Sequence, residues 1–520
     1  MRYALRFHTA LRPLLQHPLA WSTGVVVFTV LFLMLMGDAL AASPAHALSI
    51  VVMLGAVVLM LIDFRMALLL FVGFLFAYEE FNLSSQEAFV DKSIANTVLA
   101  VKVFGFALMD VMSVVLLIPV LLREWRHMLE HGRWRWMRGD LFLLPLILVW
   151  LYGMIPGIVH MRSFSDYTWD LRMLAHVLVF YYIFSRTFTA RRDVVLALLV
   201  GGGVFVLKHG VFFYRYLTGG GLQTGVYHRV FLGSDLPLTA LALALTVASL
   251  LIFRQRFAAG ERPSLQRSAL LLLAVYFVVM LIAGLGKLTY LQALYSLVLI
   301  GVLHRRDIRP RTVFAVIGLS AGAAMLVFFT VLSAESRNAV FYALTSAFNW
   351  WDALKLYGDL SFGTRLLEII NVWEQLTREG GLLLGQGWGA AWREIAVHMP
   401  FDGGAFSVEE QHSGVHVQTH IDAITFLLKV GIIGTLTIYA SMLRYGLEGL
   451  RMYRASHDPW HRWALMALIL MIIIFVPNYL YFIRLKYLLG FAFAGITVFM
   501  ATHDRNTTHH TGIAHTDDEE

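Results

Sequence analysis

The chain of 520 residues is 58% hydrophobic, and only 14% of it is Asp, Glu, Lys or Arg, against about 25% in soluble domains. This composition excludes an ordinary soluble enzyme and is typical of a polytopic helical membrane protein. The 41 Lys and Arg against 34 Asp and Glu give a net charge of +7, which in a membrane protein reflects cytoplasmic loops rather than nucleic-acid binding. The absence of cysteine excludes disulfides, thiolate metal sites and thiol catalysis.

Apolar runs along the chain predict an all-α membrane protein with about fourteen transmembrane helices, or twelve at the low end of the range. The first run follows a basic N-terminus and is expected to be a retained span rather than a cleaved signal peptide. In chain order the predicted spans are 20–37, 46–62, 66–80, 101–122, 141–159, 172–188, 194–213, 237–253, 269–285, 288–303, 313–332, 420–443, 462–480 and 484–502. The predicted domains are an N-terminal bundle of about eleven helices (1–332), a periplasmic loop (333–419), C-terminal spans (420–502) and a tail (503–520).

The distribution of arginine predicts the orientation of these spans. With the N-terminus in the cytoplasm, the connections on the same side carry most of the arginine, including five in 123–140. This asymmetry follows the positive-inside rule, so both termini are expected to be cytoplasmic. The tail 503–520 is rich in His, ends in Asp-Asp-Glu-Glu and is expected to be disordered.

The segment 333–419 is a much longer outer connection than helix bundles usually have, and long ordered loops are usually functional. It contains five tryptophans, which is unlike a disordered segment. Residues 365–378 form a helical pattern with Leu366, Ile370 and Trp373 among those on an apolar face, and Gly380 follows as a stop. This helix is expected to lie along the membrane surface or to cap the bundle.

Basic residues on the outer side are not explained by the orientation rule. Lys287 lies in a tight turn between two apolar spans, where a charge requires either an anionic partner or access to the head groups. Several arginines converging above a bundle are suited to a pyrophosphate, because a guanidinium binds phosphate oxygens bidentately. The full set is Arg162, Arg172, Arg215, Arg229, Lys287, Arg337, Arg365, Arg378 and Arg393.

Three histidines near the end of the loop, His412, His416 and His420, have a spacing that would suit one helix face and a zinc site. The spacing runs through Ser413 and Gly414, a poor helix interior, and no HExxH pattern is present, so a metal is not expected. His420 alone begins an apolar span, where an imidazole is either a proton acceptor at the membrane surface or an interfacial residue without chemistry.

The end of the loop resembles a motif of the O-antigen ligase and polysaccharide polymerase superfamily of bacterial inner-membrane glycosyltransferases. In that family a histidine at the end of the large periplasmic loop precedes a span with two spaced glycines, as do His420, Gly431 and Gly434. The family often has Asn, Ser or Gln after the histidine, whereas this chain has Ile421, so Asp422 or Thr419 would have to replace that side chain.

Three further segments are similar to this family, and together the resemblance covers roughly 225–445. A second family segment is a helix that begins with an arginine and runs into a glycine-rich turn. The stretch from Arg365 to Gly389 resembles this segment. The turn at Lys287 and the stretch that begins at Arg229 resemble two less specific motifs.

The resemblance implies an inverting transfer of a glycan from an undecaprenyl-pyrophosphate carrier to an acceptor hydroxyl, without a metal or another cofactor. It implies that His420 is the base and that Arg229, Lys287 and Arg365 bind the pyrophosphate. The expected partners are the lipid-linked donor, a glycan acceptor, the lipid bilayer and a chain-length regulator, with no nucleic acid. The residues expected to contact acceptor or sugar are Arg393, Trp388, Trp392 and His416, although the tryptophans also fit interfacial anchors.

The alternatives differ in the acceptor or in the class of protein. An O-antigen or exopolysaccharide polymerase is favoured by the number of spans and by the turn at Lys287. A ligase would instead transfer the glycan to lipid A-core or to a protein. A flippase for lipid-linked oligosaccharides would suit fourteen spans, but the long outer segment 333–419 argues against it.

Overall fold

The structure is a computed structural model. It describes residues 58–59, 62–77, 102–103, 106–217, 222–224, 227–229, 235–254, 263–283, 287–305, 322, 360–399, 412–477 and 483–512. Within these ranges the chain is mostly helical, which is consistent with an all-α membrane protein, and its strands form three two-stranded antiparallel sheets.

The helices and strands of the described residues are numbered in chain order. The helices are α1 (Phe64–Ala77), α2 (Leu108–His131), α3 (Asp140–His160), α4 (Phe164–Thr187), α5 (Arg191–Leu217), α6 (Asp235–Ile252), α7 (Pro263–Ala283), α8 (Lys287–Leu303), α9 (Leu360–Arg378), α10 (Asp422–Ala455), α11 (Pro459–Phe475) and α12 (Ile483–Gly512). The strands are β1 (Lys102–Val103), β2 (Phe106–Ala107), β3 (Leu222–Thr224), β4 (Tyr227–Arg229), β5 (Trp392–Arg393) and β6 (Val415–His416).

The chain divides into two compact units. The first consists of Met1–Ala67 and Lys92–Met112, and it contains the hairpin of β1 and β2. The second consists of Leu68–Asp91 and Ser113–Glu520, and it contains α3 to α12 together with every residue of the candidate site described below.

Six helices of the described part of the chain are long and apolar enough to cross a membrane, namely Asp140–His160, Arg191–Val211, Asp235–Ile252, Leu265–Ile282, Asp422–Ala455 and Arg484–His503. Shorter apolar helices lie at Phe64–Phe76, Leu288–Leu303 and Pro459–Phe475. Helices therefore occur at most of the predicted spans. The predicted span 20–37 lies outside the described residues, as do nearly all of 46–62 and 313–332, so the number of fourteen stays a prediction.

The centre of the second unit is formed by α11 and α12. Nearly all side chains of α12 from Leu485 to Met500 are buried, and α11 is buried over most of its length. A helix that is apolar all round packs at the centre of a bundle, and α12 is accordingly covered by α4 and α11. Helix α12 continues to Gly512, into the segment where the sequence predicts a disordered tail.

The helix predicted at 365–378 is α9, which begins at Leu360 and ends before Gly380, whose φ of +74° stops it as expected. The face of α9 that is buried within the protein is a mixed one, which includes Leu376 of the predicted apolar face. The polar residues Glu368, Asn371 and Gln375 are buried, whereas Trp373 is 48% exposed.

The backbone of the following loop explains why polar side chains of α9 are buried. The side-chain oxygen of Asn371 accepts the N–H of Ala396 at 2.9 Å, and that of Gln375 accepts the N–H of Arg393 at 2.9 Å. Backbone groups in a loop have no strand or helix partners. Buried polar side chains of α9 therefore form the hydrogen bonds that these groups need.

Helix α10 is bent sharply at Gly431, which has a φ of +66°. A straight helix of its 34 residues would rise about 51 Å, far more than the roughly 30 Å of a bilayer core. The rings of Phe426 and Tyr439 lie 6.3 Å apart, although thirteen residues of straight helix would separate them by about 20 Å. The segment 422–430 therefore folds back against the rest of α10, and the part long enough to span begins after Gly431. This differs from the continuous span predicted at 420–443.

Candidate functional site

His420 lies at the end of the loop, directly before α10, and Glu368 of α9 holds it in place. The backbone N–H of His420 donates to Oε2 of Glu368 at 2.8 Å, and the ring Nδ1 hydrogen-bonds Oε1 of the same carboxylate. The Glu368 side chain is fully buried, whereas that of His420 is 28% exposed. An imidazole that donates its Nδ1–H to a carboxylate has its proton-accepting lone pair on Nε2, so the contact with Glu368 suits the ring to act as a proton acceptor.

Arg365 is one helical turn before Glu368 on α9, on the same side of the helix, and its side chain is partly buried. The structure therefore brings two predicted site residues, Arg365 and His420, to the same carboxylate-bearing turn. Arg229 ends β4, where it pairs with Leu222 of β3, and Lys287 begins α8. The side chains of Arg229 and Lys287 lie outside the described residues, so their predicted role is not decided by this geometry.

Arg393, a predicted acceptor contact, lies in β5 at the edge of the loop. Its guanidinium forms an ion pair with Glu379, and the arginine side chain is 54% exposed. Its backbone N–H donates to Gln375 of α9. Arg393 is thus an exposed cation whose position is fixed through α9.

Trp388, Trp392 and His416, the other predicted sugar contacts, are buried in the structure. The indole N–H of Trp388 donates to the carbonyl of Trp150 at 2.8 Å. Trp392 stacks on His416 at 4.2 Å between ring centroids, and Nε2 of His416 contacts Glu394 at 2.8 Å. None of the three rings presents an exposed face, so we leave them out of the proposed substrate contacts.

The spacing of His412, His416 and His420 does not form one helix face, because His416 belongs to strand β6. In the described ranges no three His, Asp or Glu side chains lie close enough to hold a metal ion.

The glycine-rich turn after α9 packs into the break of α10, so two motifs that are far apart in sequence meet. At the break, the N–H of Ile432 donates to the carbonyl of Leu382 at 3.0 Å. In the other direction, the N–H groups of Gln386 and Gly387 donate to the carbonyls of Leu428 and Lys429 at 2.8 and 2.7 Å. The turn thus replaces the helical hydrogen bonds that the bend removes.

Backbone contact explains the glycines of this turn. A Cβ on Gly385 would lie 2.4 Å from the nitrogen of Val430, and one on Gly431 would lie 2.3 Å from the carbonyl oxygen of Leu383. Both glycines also have positive φ, which a residue with a Cβ rarely adopts.

A buried ion pair lies behind the turn. Nζ of Lys429 is 2.6 Å from Oδ2 of Asp170 in α4, and neither side chain is exposed. The same ammonium hydrogen-bonds the carbonyls of Ala390 and Val417, the second at 2.9 Å. Oδ2 of Asp170 also accepts the N–H of Gly389 at 2.6 Å. The pair therefore connects α4, the glycine-rich turn, the segment between β6 and His420, and α10.

Sequence reasoning did not assign Glu368, Asp170 or Lys429 to the site. A signal existed for Lys429, because a charge inside an apolar run is costly unless it has a partner. No local signal identifies Glu368, since Glu374 on the same helix is also acidic but is 37% exposed and pairs with Arg378.

A scan of the chain against protein-family models finds no match, and neither does a search of curated proteins. The functional assignment therefore depends on the geometry around His420 and on the motifs themselves.

Proposed function

We propose that the protein is a membrane glycosyltransferase that transfers or polymerises undecaprenyl-pyrophosphate-linked oligosaccharide repeat units. The observation that supports this proposal is the contact of the partly exposed His420 with the buried carboxylate of Glu368, one turn from Arg365. The resemblance of 225–445 to the O-antigen ligase and polysaccharide polymerase superfamily supports the substrate class. Helices apolar enough to cross a membrane give a lipid-linked substrate direct access to the chain.

In this proposal His420 is the general base. Its Nε2 removes the proton of the acceptor hydroxyl while the acceptor oxygen bonds to the anomeric carbon of the donor. The bond from that carbon to the pyrophosphate breaks with its electron pair on the leaving oxygen, and attack from the opposite face inverts the configuration. Glu368 keeps the ring in the required tautomer and stabilises the imidazolium that forms.

The leaving pyrophosphate gains negative charge in the transition state and needs fixed cations. Arg365 is suited to this role because it lies on the helical turn of α9 that also bears Glu368. We assign Arg229 and Lys287 to the same role from the family motifs that they resemble. The exposed Arg393 is the proposed contact to the acceptor.

We further propose that the chain crosses the bacterial inner membrane about fourteen times, with both termini in the cytoplasm and His420 on the periplasmic side. The arginines of 123–140 support this orientation, because they lie in the last turns of α2 and in the connection from α2 to the start of α3. The end of α3 at His160 is adjacent to the loop, since Met161 pairs with Ala390, while its start at Asp140 follows the arginines.

The replacement His420→Ala tests the catalytic role. It is expected to abolish glycan transfer by the reconstituted protein and to leave membrane insertion and carrier binding intact. The matched control is His398→Ala, since His398 lies in the same loop with a side chain that is 93% exposed, and this variant should keep wild-type turnover. Near-wild-type turnover of His420→Ala would contradict the proposal.

Polymerase and ligase are separated by the glycans of a deletion strain. We favour the polymerase, for which single repeat units attached to the lipid A-core are expected. Long carrier-linked chains with a bare core would instead identify the ligase.

A further inference from the structure

The buried ion pair of Asp170 and Lys429 has no part in the mechanism proposed above. The burial of two charges at this position needs a physical reason. Both side chains are fully buried within an apolar bundle. Taking two opposite charges out of water costs more than their attraction usually returns, and apolar residues of similar size often stabilise such a position equally well. Stability alone is therefore a poor reason for a charged pair here.

The contacts of the pair give a geometric reason. Lys429 hydrogen-bonds the carbonyl of Val417, three residues before His420, while Lys429 itself lies nine residues after His420. One ammonium therefore closes the loop of chain that carries the histidine. The same ammonium and Asp170 also hold Ala390 and Gly389 of the glycine-rich turn.

The closed loop in turn sets how His420 meets Glu368. His420 reaches Glu368 with its backbone N–H and its ring together, so both contacts require the chain at 417–422 to keep one conformation. The contact between Lys429 and the carbonyl of Val417 closes the segment 417–429, which contains that stretch, and Asp170 anchors Lys429 to α4. A shift of residues 417–422 would therefore move the ring of His420 while α9, which bears Glu368, keeps its position.

We propose that Asp170 and Lys429 are positioning residues, which hold the turn bearing His420 against Glu368 and act on the reaction only through His420. This inference rests on the proposed function. Because both side chains are fully buried, the pair contacts neither the donor nor the acceptor. Its loss should therefore lower kcat and leave KM for the donor unchanged.

The test uses the full-length double variant Asp170→Asn/Lys429→Met, which removes both charges at similar volume and leaves no single buried charge unpaired. Its kcat is expected to fall about 10²-fold, the effect of misplacing a reacting group by about 1 Å. The rate at which diethyl pyrocarbonate modifies His420, measured by mass spectrometry of its peptide, is expected to rise because the turn opens. A thermal melt in detergent establishes that the variant is folded.

The matched control is Glu124→Gln/Asp140→Asn/Arg186→Met, which removes another buried charge cluster, in which Arg186 pairs with Asp140 at 2.6 Å and with Glu124 at 3.9 Å, and leaves none of these charges unpaired. Asp140 is at the opposite end of α3 from the loop, about 30 Å of helix away. This control should change neither kcat nor the modification rate of His420.

The outcomes separate this inference from the proposed function. Wild-type kcat and an unchanged His420 modification rate in the Asp170→Asn/Lys429→Met variant would overturn the positioning role even if His420→Ala is inactive. An active His420→Ala would instead contradict the proposed function, and the modification rate would still report whether the pair positions the ring. If the double variant does not fold, Asp170→Glu replaces it, because this change keeps the charge and moves the carboxylate by one methylene, with the same two readouts.

Discussion

Glu368→Gln is the most informative change at the site, because it preserves the size of the side chain and removes its charge. The carboxylate accepts two hydrogen bonds from His420, one from the backbone N–H at 2.8 Å and one from the ring. The two donors meet different oxygens of Glu368, and a glutamine replaces one of these oxygens with an NH₂ group, so in the same geometry it accepts from only one of the donors. The other donor then faces an N–H group inside a buried site.

The size of the effect follows from this count. A hydrogen bond to a charged group contributes about 1.5–3 kcal/mol, so the loss of the ring contact corresponds to a decrease in kcat of about 10- to 150-fold. If the ring reverses its tautomer to suit the amide, its proton moves to Nε2 and the loss approaches about 10⁴-fold, as for a triad whose aspartate becomes an asparagine. KM for the donor should stay unchanged, because Glu368 is fully buried.

The assay is the initial rate of glycan transfer by the protein reconstituted in liposomes, with a lipid-linked oligosaccharide as donor. Glu374→Gln is the matched control on the same helix, since Glu374 is partly exposed and its pair with Arg378 contributes at most about 1 kcal/mol. This control should keep the wild-type rate. If folded Glu368→Gln also keeps the wild-type kcat, the argument that Glu368 orients a catalytic histidine is refuted.

Two further predictions concern the fold and the orientation. Gly431→Ala should lower the thermal midpoint of unfolding by an amount that corresponds to about 1–3 kcal/mol, because it forces a Cβ against the carbonyl of Leu383 at positive φ. Gly446 lies in open space on the same helix, so Gly446→Ala should raise the midpoint slightly. A midpoint for Gly431→Ala at or above wild type would contradict the close approach at the bend. Because the chain has no cysteine, single substitutions report orientation: a membrane-impermeant maleimide should label His398→Cys from the periplasm and Arg133→Cys only in inverted vesicles. The reverse labelling pattern would contradict the proposed orientation.

Local patterns in the sequence were sufficient to predict α9 and its end. Its helical periodicity and the glycine that follows are properties of neighbouring residues, and the structure ends the helix before Gly380. The buried face of α9 was not predictable in the same way. Burial of Asn371 and Gln375 depends on backbone groups of Ala396 and Arg393, which lie about twenty residues further along the chain. The apolar pattern therefore did not predict that polar side chains share the buried face with Val372 and Leu376.

The bend of α10 shows a second limit of local patterns. Glycine within an apolar run fits a continuous span, and only the approach of Leu383 to Gly431 shows why the chain must turn there. His420 was predictable as a candidate because it ends the loop and begins the motif. Its partner Glu368 was not, because 52 residues separate the two in sequence and no spacing rule connects them.

The backbone N–H groups of the glycine-rich turn limit how the protein can bind the proposed pyrophosphate. A glycine-rich loop often binds phosphate through its backbone N–H groups, but here those groups already have acceptors within the protein. The N–H groups of Gln386 and Gly387 donate to α10, that of Trp388 donates to Gly153 of α3, and that of Gly389 donates to Asp170. The glycines therefore allow close packing of backbones, and a pyrophosphate at this site would have to be bound by side chains. That requirement favours arginine, whose guanidinium matches phosphate oxygens bidentately, and it gives Arg365 a role that the turn itself cannot fill.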